Sequence, residues 1–130
     1  MRMFLILASL VVLPQCQSDS TPDVYGDGST TWQLTTLNGN PVTARATLMF
    51  PEAGQIAGKA PCNNYSGPMT AEFPAFETGP IAATRMACPD LAVETEFLNA
   101  LDQATTATVD DGMLTLSNGN AATLVFRAAD

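Results

Sequence analysis

The chain has 130 residues, with 13 acidic and 5 basic side chains, a formal net charge of −8 and no histidine. An acidic chain without clusters of Lys and Arg is poorly suited to bind nucleic acid, so no nucleic-acid partner is expected. The missing histidine excludes Ser–His and Cys–His nucleophile pairs and the commonest protein ligand of metal ions. Hydrophobic residues make up 46% of the chain, which is enough to fill the core of a single folded domain.

The N-terminus has the pattern of an export signal. Residues 3–14, MFLILASLVVLP, form an apolar run that is too short to span a bilayer but is typical of a secretory signal. Leu13 lies three residues before Cys16, as in bacterial lipoprotein leaders, although Gln15 stands where a small residue is usual. We expect residues 1–15 to be a lipoprotein signal peptide and Cys16 to carry the lipid that holds the protein on a membrane. An ordinary signal peptide, with Cys16 left as a spare thiol, is the alternative.

Residues 16–30 are polar and rich in Ser, Thr, Asp, Gly and Pro. They are predicted to form a lipid-anchored flexible tether with a reach of roughly 20 Å. Gln17 follows Cys16, and the absence of Asp at this position favours the outer membrane over the inner one in a Gram-negative host. The expected location is the cell envelope, on the periplasmic side.

Residues 31–130 are predicted to form the folded domain, and most of it shows the period-two pattern of short antiparallel strands. Turns rich in Gly, Asn and Asp separate these strands, for example at 38–40 and 110–112. In the first predicted strand, Trp32, Leu34 and Thr36 alternate with Gln33, Thr35 and Leu37. In the next, Ala46, Leu48 and Phe50 alternate with Thr47 and Met49.

Residues 89–104, PDLAVETEFLNALDQA, break the strand pattern and predict one amphipathic helix packed on the sheet. Pro89 suits the first helical position, where its missing N–H costs nothing. The side chains expected to gather on the buried side are Leu91, Val93, Phe97, Leu98, Leu101 and Ala104.

Glu94 falls among these apolar positions, where an unpaired carboxylate is costly to desolvate. Arg85 is the nearest basic residue in the sequence. We therefore predict an Arg85–Glu94 ion pair that is at least half buried. A catalytic role for Glu94 as a general acid is the alternative.

Cys62 and Cys88 remain after Cys16. In an exported protein, such a pair predicts a structural disulfide. Closing a loop of about 26 residues would stabilise the fold by about 3.5 kcal/mol in the chain-entropy model. Two buried or free thiols, and a redox site, are the other interpretations.

Several segments resemble the META domain of HslJ-like heat-shock lipoproteins, the DUF306 type. Residues 58–67, GKAPCNNYSG, are similar to its G-x-x-x-C-N-x-aromatic-x-G segment, and residues 84–88 match its T-R-M-A-C segment. The helix with Glu94 and Phe97 also matches, while Pro68-Met69 departs from the pattern. The resemblance covers roughly residues 31–127. It implies an α+β fold, in which a small curled antiparallel sheet, like an open barrel, carries one helix.

The C-N-x-aromatic segment has two interpretations. Asn63 and Asn64 fit hydrogen bonds to turn backbone, and Tyr65 fits a cap on the core. The alternative is that Asn63, Asn64 and Tyr65, together with Arg85, contact a ligand or a partner.

The resemblance implies a non-enzymatic, membrane-anchored lipoprotein of the cell envelope that acts in envelope stress response, antibiotic tolerance or envelope assembly. Its expected partner is an unidentified envelope protein or hydrophobic ligand. The alternative is a lipid carrier or a module like secretin pilot lipoproteins. The side chains that would line such a cavity are Leu48, Phe50, Phe73, Leu124 and Phe126.

Catalysis is not expected from this sequence. Glu94 and Glu96 point to different helix faces, so they do not converge as glycosidase carboxylates must. Asp110-Asp111 lacks the spacing of a calcium loop. No catalytic residue, cofactor or metal site is therefore predicted.

Overall fold

The computed structural model describes residues 23–129, which form a nine-stranded antiparallel sheet and one α-helix. The strands are β1 Thr31–Leu37, β2 Asn40–Pro41, β3 Thr47–Met49, β4 Gln55–Lys59, β5 Asn64–Pro68, β6 Ala82–Ala83, β7 Thr106–Asp110, β8 Met113–Asn118 and β9 Ala121–Ala129. The helix α1 is Leu91–Gln103, and a 3-10 turn covers Asp23–Tyr25. The predicted α+β class is confirmed.

The sheet is open, although a loop connects its two edges. The strands pair in the order β6-β5-β4-β3-β1-β9-β8-β7, with β2 beside β1. The edge strands β6 and β7 do not pair with each other. Instead, the loop after β5 forms an isolated bridge from Ala75 to Thr106 at the start of β7. Phe76 and Ala107 extend this contact through backbone hydrogen bonds to Thr105 and Pro74.

The helix packs on the sheet through a single apolar core. Phe97 of α1 and Phe126 of β9 lie edge to face, with ring centroids 6.4 Å apart. The largest fully buried side chains are Phe76, Phe97, Phe126, Leu48, Ile56, Leu101, Leu114, Leu116 and Leu124. Leu48, Leu124 and Phe126, which were candidates for lining a ligand cavity, therefore belong to this packed core.

The alternation in β1 is interrupted by a register shift. Trp32 and Leu34 are buried, but Leu37 is also buried and Thr36 is only half-buried. The pairing between β1 and β9 shifts between Leu34 and Thr36. Because the shift changes which side of the strand faces the core, the predicted alternation of Trp32, Leu34 and Thr36 with Gln33, Thr35 and Leu37 does not extend through the whole strand.

The helix begins later than the sequence pattern predicts. Asp90 is the N-cap and Leu91 the first helical residue, so Pro89 precedes the helix rather than occupying its first position. Leu91 is exposed, which corrects its assignment to the buried side, whereas Phe97 and Leu101 are fully buried. Within residues 23–129, no helix is long and apolar enough to cross a membrane.

The folded part reaches further toward the N-terminus than the predicted boundary at residue 31. Tyr25 is buried in the core cluster, and its backbone carbonyl accepts a hydrogen bond of 2.9 Å from the Trp32 indole. Asp27 holds the following turn, since its carboxylate accepts the backbone N–H of Ser29. Tyr25, which lies in the segment predicted as a tether, is therefore packed against the domain. The predicted signal peptide and Cys16 lie outside the described residues.

Candidate functional site

Glu94 is the centre of a buried polar cluster between α1 and the loop that joins β4 to β5. Its side chain is only 4% exposed. One carboxylate oxygen accepts the backbone N–H groups of Cys62 and Asn63 at 2.9 and 2.8 Å. The other accepts the Asn63 side-chain amide at 2.7 Å. The helix thereby fixes the loop through three hydrogen bonds to a charged group.

These bonds correct the predicted Arg85–Glu94 ion pair. Glu94 is buried as expected, but the Arg85 side chain is exposed and forms no ion pair with it. Three N–H donors replace the water lost by the carboxylate, so a buried guanidinium is not required. The buried Glu94 carboxylate has polar partners, as predicted, but they are two backbone N–H groups and one side-chain amide rather than a guanidinium.

Asn63 links this loop to the segment before the helix. Its amide nitrogen donates to the Met86 carbonyl at 2.9 Å as well as to Glu94. Its amide oxygen accepts the Met86 N–H at 2.6 Å and the Thr84 hydroxyl at 2.9 Å. Because the side chain is 4% exposed and all of its hydrogen-bonding groups are used, Asn63 is a structural residue rather than a ligand contact.

A disulfide closes the same junction. Cys62 and Cys88 are bonded, with Cα atoms 5.6 Å apart and a sequence separation of 26. The predicted disulfide is therefore confirmed. We call Asn63, Thr84, Glu94 and this disulfide, together with the Met86 backbone, the Asn63–Glu94 cluster.

Tyr65 is also structural. Its hydroxyl donates to the Thr47 carbonyl, and its ring packs edge to face on Phe97 at a centroid distance of 5.6 Å. Burial raises the pKa of the Tyr65 hydroxyl. Gly58 is the register partner of Tyr65, and a Cβ at position 58 would lie 2.7 Å from this hydroxyl and overlap the Thr47 carbonyl. The spacing between Gly58 and Tyr65 in the G-x-x-x-C-N-x-Tyr segment therefore places a residue without a side chain opposite the tyrosine, where a Cβ would overlap its neighbours.

The cluster presents an exposed segment to solvent. Arg85 and Ala87 are exposed, and the Met86 side chain is 62% exposed although its backbone is bonded to Asn63. Asn64 also has an exposed side chain, while its backbone N–H is bound by Thr84. Of the predicted contact residues, Asn64 and Arg85 remain accessible to a partner.

A separate cleft of about 490 Å³ lies between the 3-10 turn, the β3–β4 hairpin and the loop after β5. Its lining includes the apolar and aromatic side chains of Tyr25, Phe50, Met69 and Phe73 and the carboxylates of Glu52 and Glu72. Phe50 and Phe73 were candidates for lining a cavity, and they do line this cleft. Tyr25 was missed because a single aromatic residue in a polar segment has no periodic signal.

Residues 23–129 contain no group of three or more Cys, Asp or Glu side chains placed to hold a metal ion. In the Asn63–Glu94 cluster, both carboxylate oxygens already accept hydrogen bonds from the protein. The carboxylate of the cluster is therefore engaged in stabilising the loop.

The META domain family model matches residues 27–130. Three solved structures are similar to this chain: one determined by NMR has a TM-score of 0.66 at 24% identity and covers 82% of this chain and 95% of its own. An NMR structure from Burkholderia xenovorans has a TM-score of 0.61 at 23% identity, covering 98% and 99% of the two chains. A crystal structure of a DUF4847 family protein from Bacteroides vulgatus has a TM-score of 0.61 at 16% identity, covering 79% and 94%. At these identities the likeness concerns the fold alone. No curated protein matches the chain.

Proposed function

Because the chain belongs to the META domain family, we propose that it is a non-enzymatic lipoprotein of the cell envelope, anchored through lipid on Cys16. The observation that carries the proposal is the Cys62–Cys88 disulfide inside the Asn63–Glu94 cluster. Structural disulfides persist in oxidising compartments such as the periplasm. The apolar run that ends just before Cys16 supplies a route of export.

The geometry supports a binding role rather than catalysis. Glu94 and Asn63 are buried, and their side chains are committed to holding the loop. The Arg85–Met86 segment, in contrast, is exposed, while the buried Asn63 side chain holds the Met86 backbone through two hydrogen bonds. A rigid exposed segment loses little conformational entropy when it binds, which favours contact with another envelope protein. Envelope stress response, antibiotic tolerance or envelope assembly is the proposed setting.

Lipid attachment is tested by expressing the full chain in a bacterial host with an alkyne-labelled fatty acid. Wild type and a Cys62→Ser/Cys88→Ser variant should both be labelled and should fractionate with membranes. Cys16→Ser should lose the label and the membrane association. Label retained in Cys16→Ser would contradict anchoring at this residue, and two alkylatable thiols at positions 62 and 88 of the mature protein would contradict an oxidised structural pair.

The binding role is tested by affinity purification of the intact lipoprotein from envelope membranes. A stable complex with a secretin or an outer-membrane assembly component is the outcome expected for an assembly function. Arg85→Ala/Met86→Ser should weaken that complex at unchanged stability, whereas Glu96→Gln, on the same helix as Glu94, should not. A complex insensitive to Arg85→Ala/Met86→Ser would exclude this segment as the contact surface.

A lipid carrier is the second candidate, and the cleft beside Phe50 and Phe73 is the observation that favours it. Its volume of about 490 Å³ is within the range of small-ligand pockets. Mass spectrometry of lipid that co-purifies with the full chain distinguishes the two candidates, since only a carrier should retain lipid in stoichiometric amount.

A further inference from the structure

The cleft is acidic at its rim. Glu52 and Glu72 both line it and are both exposed. The described residues that line it include no Lys or Arg. The chain as a whole carries a net charge of −8. The electrostatic potential of the opening therefore favours a cation.

The wall of the cleft is aromatic. Tyr25 and Phe50 stack with ring centroids 3.9 Å apart, and Phe73 meets Tyr25 edge-on at 5.7 Å. Phe50, Phe73 and Met69 are only partly buried, so part of each side chain remains available. Aromatic faces attract organic cations through the ring quadrupole, and a thioether adds polarisable surface.

Tyr25 leaves one hydrogen-bonding group unused. The residue is only 8% exposed, and its buried hydroxyl has no hydrogen-bond partner in the described part of the protein. Its backbone carbonyl accepts the Trp32 indole N–H, and its ring packs against Phe50 and Phe73. A buried hydroxyl without a partner is unfavourable, so this side chain carries an uncompensated polar atom where it stacks on Phe50.

We propose that this cleft binds a small organic ammonium ion, with its alkyl groups on the aromatic wall and its charge beside Glu52 and Glu72. The volume of about 490 Å³ accommodates an ion of this size. The site goes beyond the proposed envelope role and does not depend on lipid at Cys16. Choline, which combines a quaternary ammonium with a hydroxyl, is the probe. Its neutral isostere 3,3-dimethylbutan-1-ol has the same shape without the charge.

The test is an NMR titration of the isotope-labelled full chain in nonionic detergent. Choline should shift amide signals of residues 50–55 and 69–73 with a Kd on the order of 1 mM. The neutral isostere should bind about tenfold more weakly. Glu52→Gln/Glu72→Gln should weaken choline binding about threefold to tenfold, whereas Glu77→Gln, an exposed carboxylate outside the cleft lining, should leave it unchanged.

Equal binding of the neutral isostere, or choline binding unaffected by the double variant, would overturn the proposal. So would the absence of any shift with choline together with the absence of binding to phosphatidylcholine vesicles. Binding to phosphatidylcholine vesicles that is weakened by Glu52→Gln/Glu72→Gln but not by Glu77→Gln, without binding of free choline, would support the organic ammonium ion and identify its source as a lipid headgroup.

Discussion

Replacing Glu94 with Gln tests the central assignment of the structure. The substitution keeps the size of the side chain and removes its charge. The Gln carbonyl oxygen still accepts the backbone N–H groups of Cys62 and Asn63, as the Glu94 carboxylate does now. The new NH₂ group then faces the Asn63 amide nitrogen, which at present donates to the second carboxylate oxygen. Two donors meet, and a flip of Asn63 would break its bonds to Met86.

The expected loss of stability follows from these contacts. A hydrogen bond to a charged group contributes about 1.5–3 kcal/mol, and a buried donor left without a partner costs about 1–3 kcal/mol. The two bonds that survive become weaker because their acceptor is neutral. We expect Glu94→Gln to lower the free energy of unfolding by about 2–4 kcal/mol, a large part of the 5–15 kcal/mol that is typical of a domain.

Urea denaturation of the oxidised protein, followed by circular dichroism, measures this loss. Glu96→Gln is the matched control, because Glu96 lies on the same helix but is exposed and bonds only to the Asn38 amide among the described residues. It should change stability by no more than about 0.5 kcal/mol. If Glu94→Gln unfolds at the same urea concentration as Glu96→Gln, Glu94 does not hold the loop.

Four further outcomes are expected. Arg85→Ala should change stability by less than about 0.5 kcal/mol by urea titration, whereas breaking a buried ion pair would cost about 3–5 kcal/mol. Gly58→Ala should cost about 2–4 kcal/mol in the same assay, because the new Cβ would overlap a backbone carbonyl. Gly112→Ala has open space around its Cβ and should cost only the roughly 1–2 kcal/mol of a side chain at a φ of 73°. Opening the disulfide by Cys62→Ser/Cys88→Ser should cost about 3.5 kcal/mol, and no change in melting would refute this. Burial raises the pKa of the Tyr25 hydroxyl to about 12. The contribution of the neutral hydroxyl to the free energy of unfolding is therefore complete below a pH of about 10 and is lost as the pH rises through 12. Urea titrations across this interval should show a smaller loss of stability in Tyr25→Phe than in the wild type.

The hairpins and the helix were predictable because their signals are local. Asn38 and Gly39 both have positive φ values, 49° and 83°, as a two-residue hairpin turn requires. Phe97 and Leu101 follow the helical period and are fully buried. The shift between Leu34 and Thr36 was not predictable, since it depends on pairing with β9 at the other end of the chain.

The partners of Glu94 were not predictable for a related reason. The helical period placed its carboxylate inside, which is where it lies. Its donors, however, are mostly backbone N–H groups at Cys62 and Asn63, and every sequence carries such groups at every residue except proline. The choice of Arg85 followed proximity in the sequence, which does not determine proximity in space. The cleft was partly missed for the same reason, since Tyr25 joins it through the fold.

The Asn63–Glu94 cluster connects oxidation of the protein to the proposed binding surface. Without the disulfide, only the hydrogen bonds of Asn63 and its neighbours would hold the Arg85–Met86 segment near its present position. Ordering the backbone of each freed residue costs about 1–2 kcal/mol. If residues 85–87 had to be ordered on binding, the cost would be roughly 3–6 kcal/mol, equivalent to at least about a hundredfold loss of affinity. A partner that contacts this segment should therefore bind the oxidised protein far more tightly than the reduced one, so export to an oxidising compartment would prepare the surface as well as stabilise the fold.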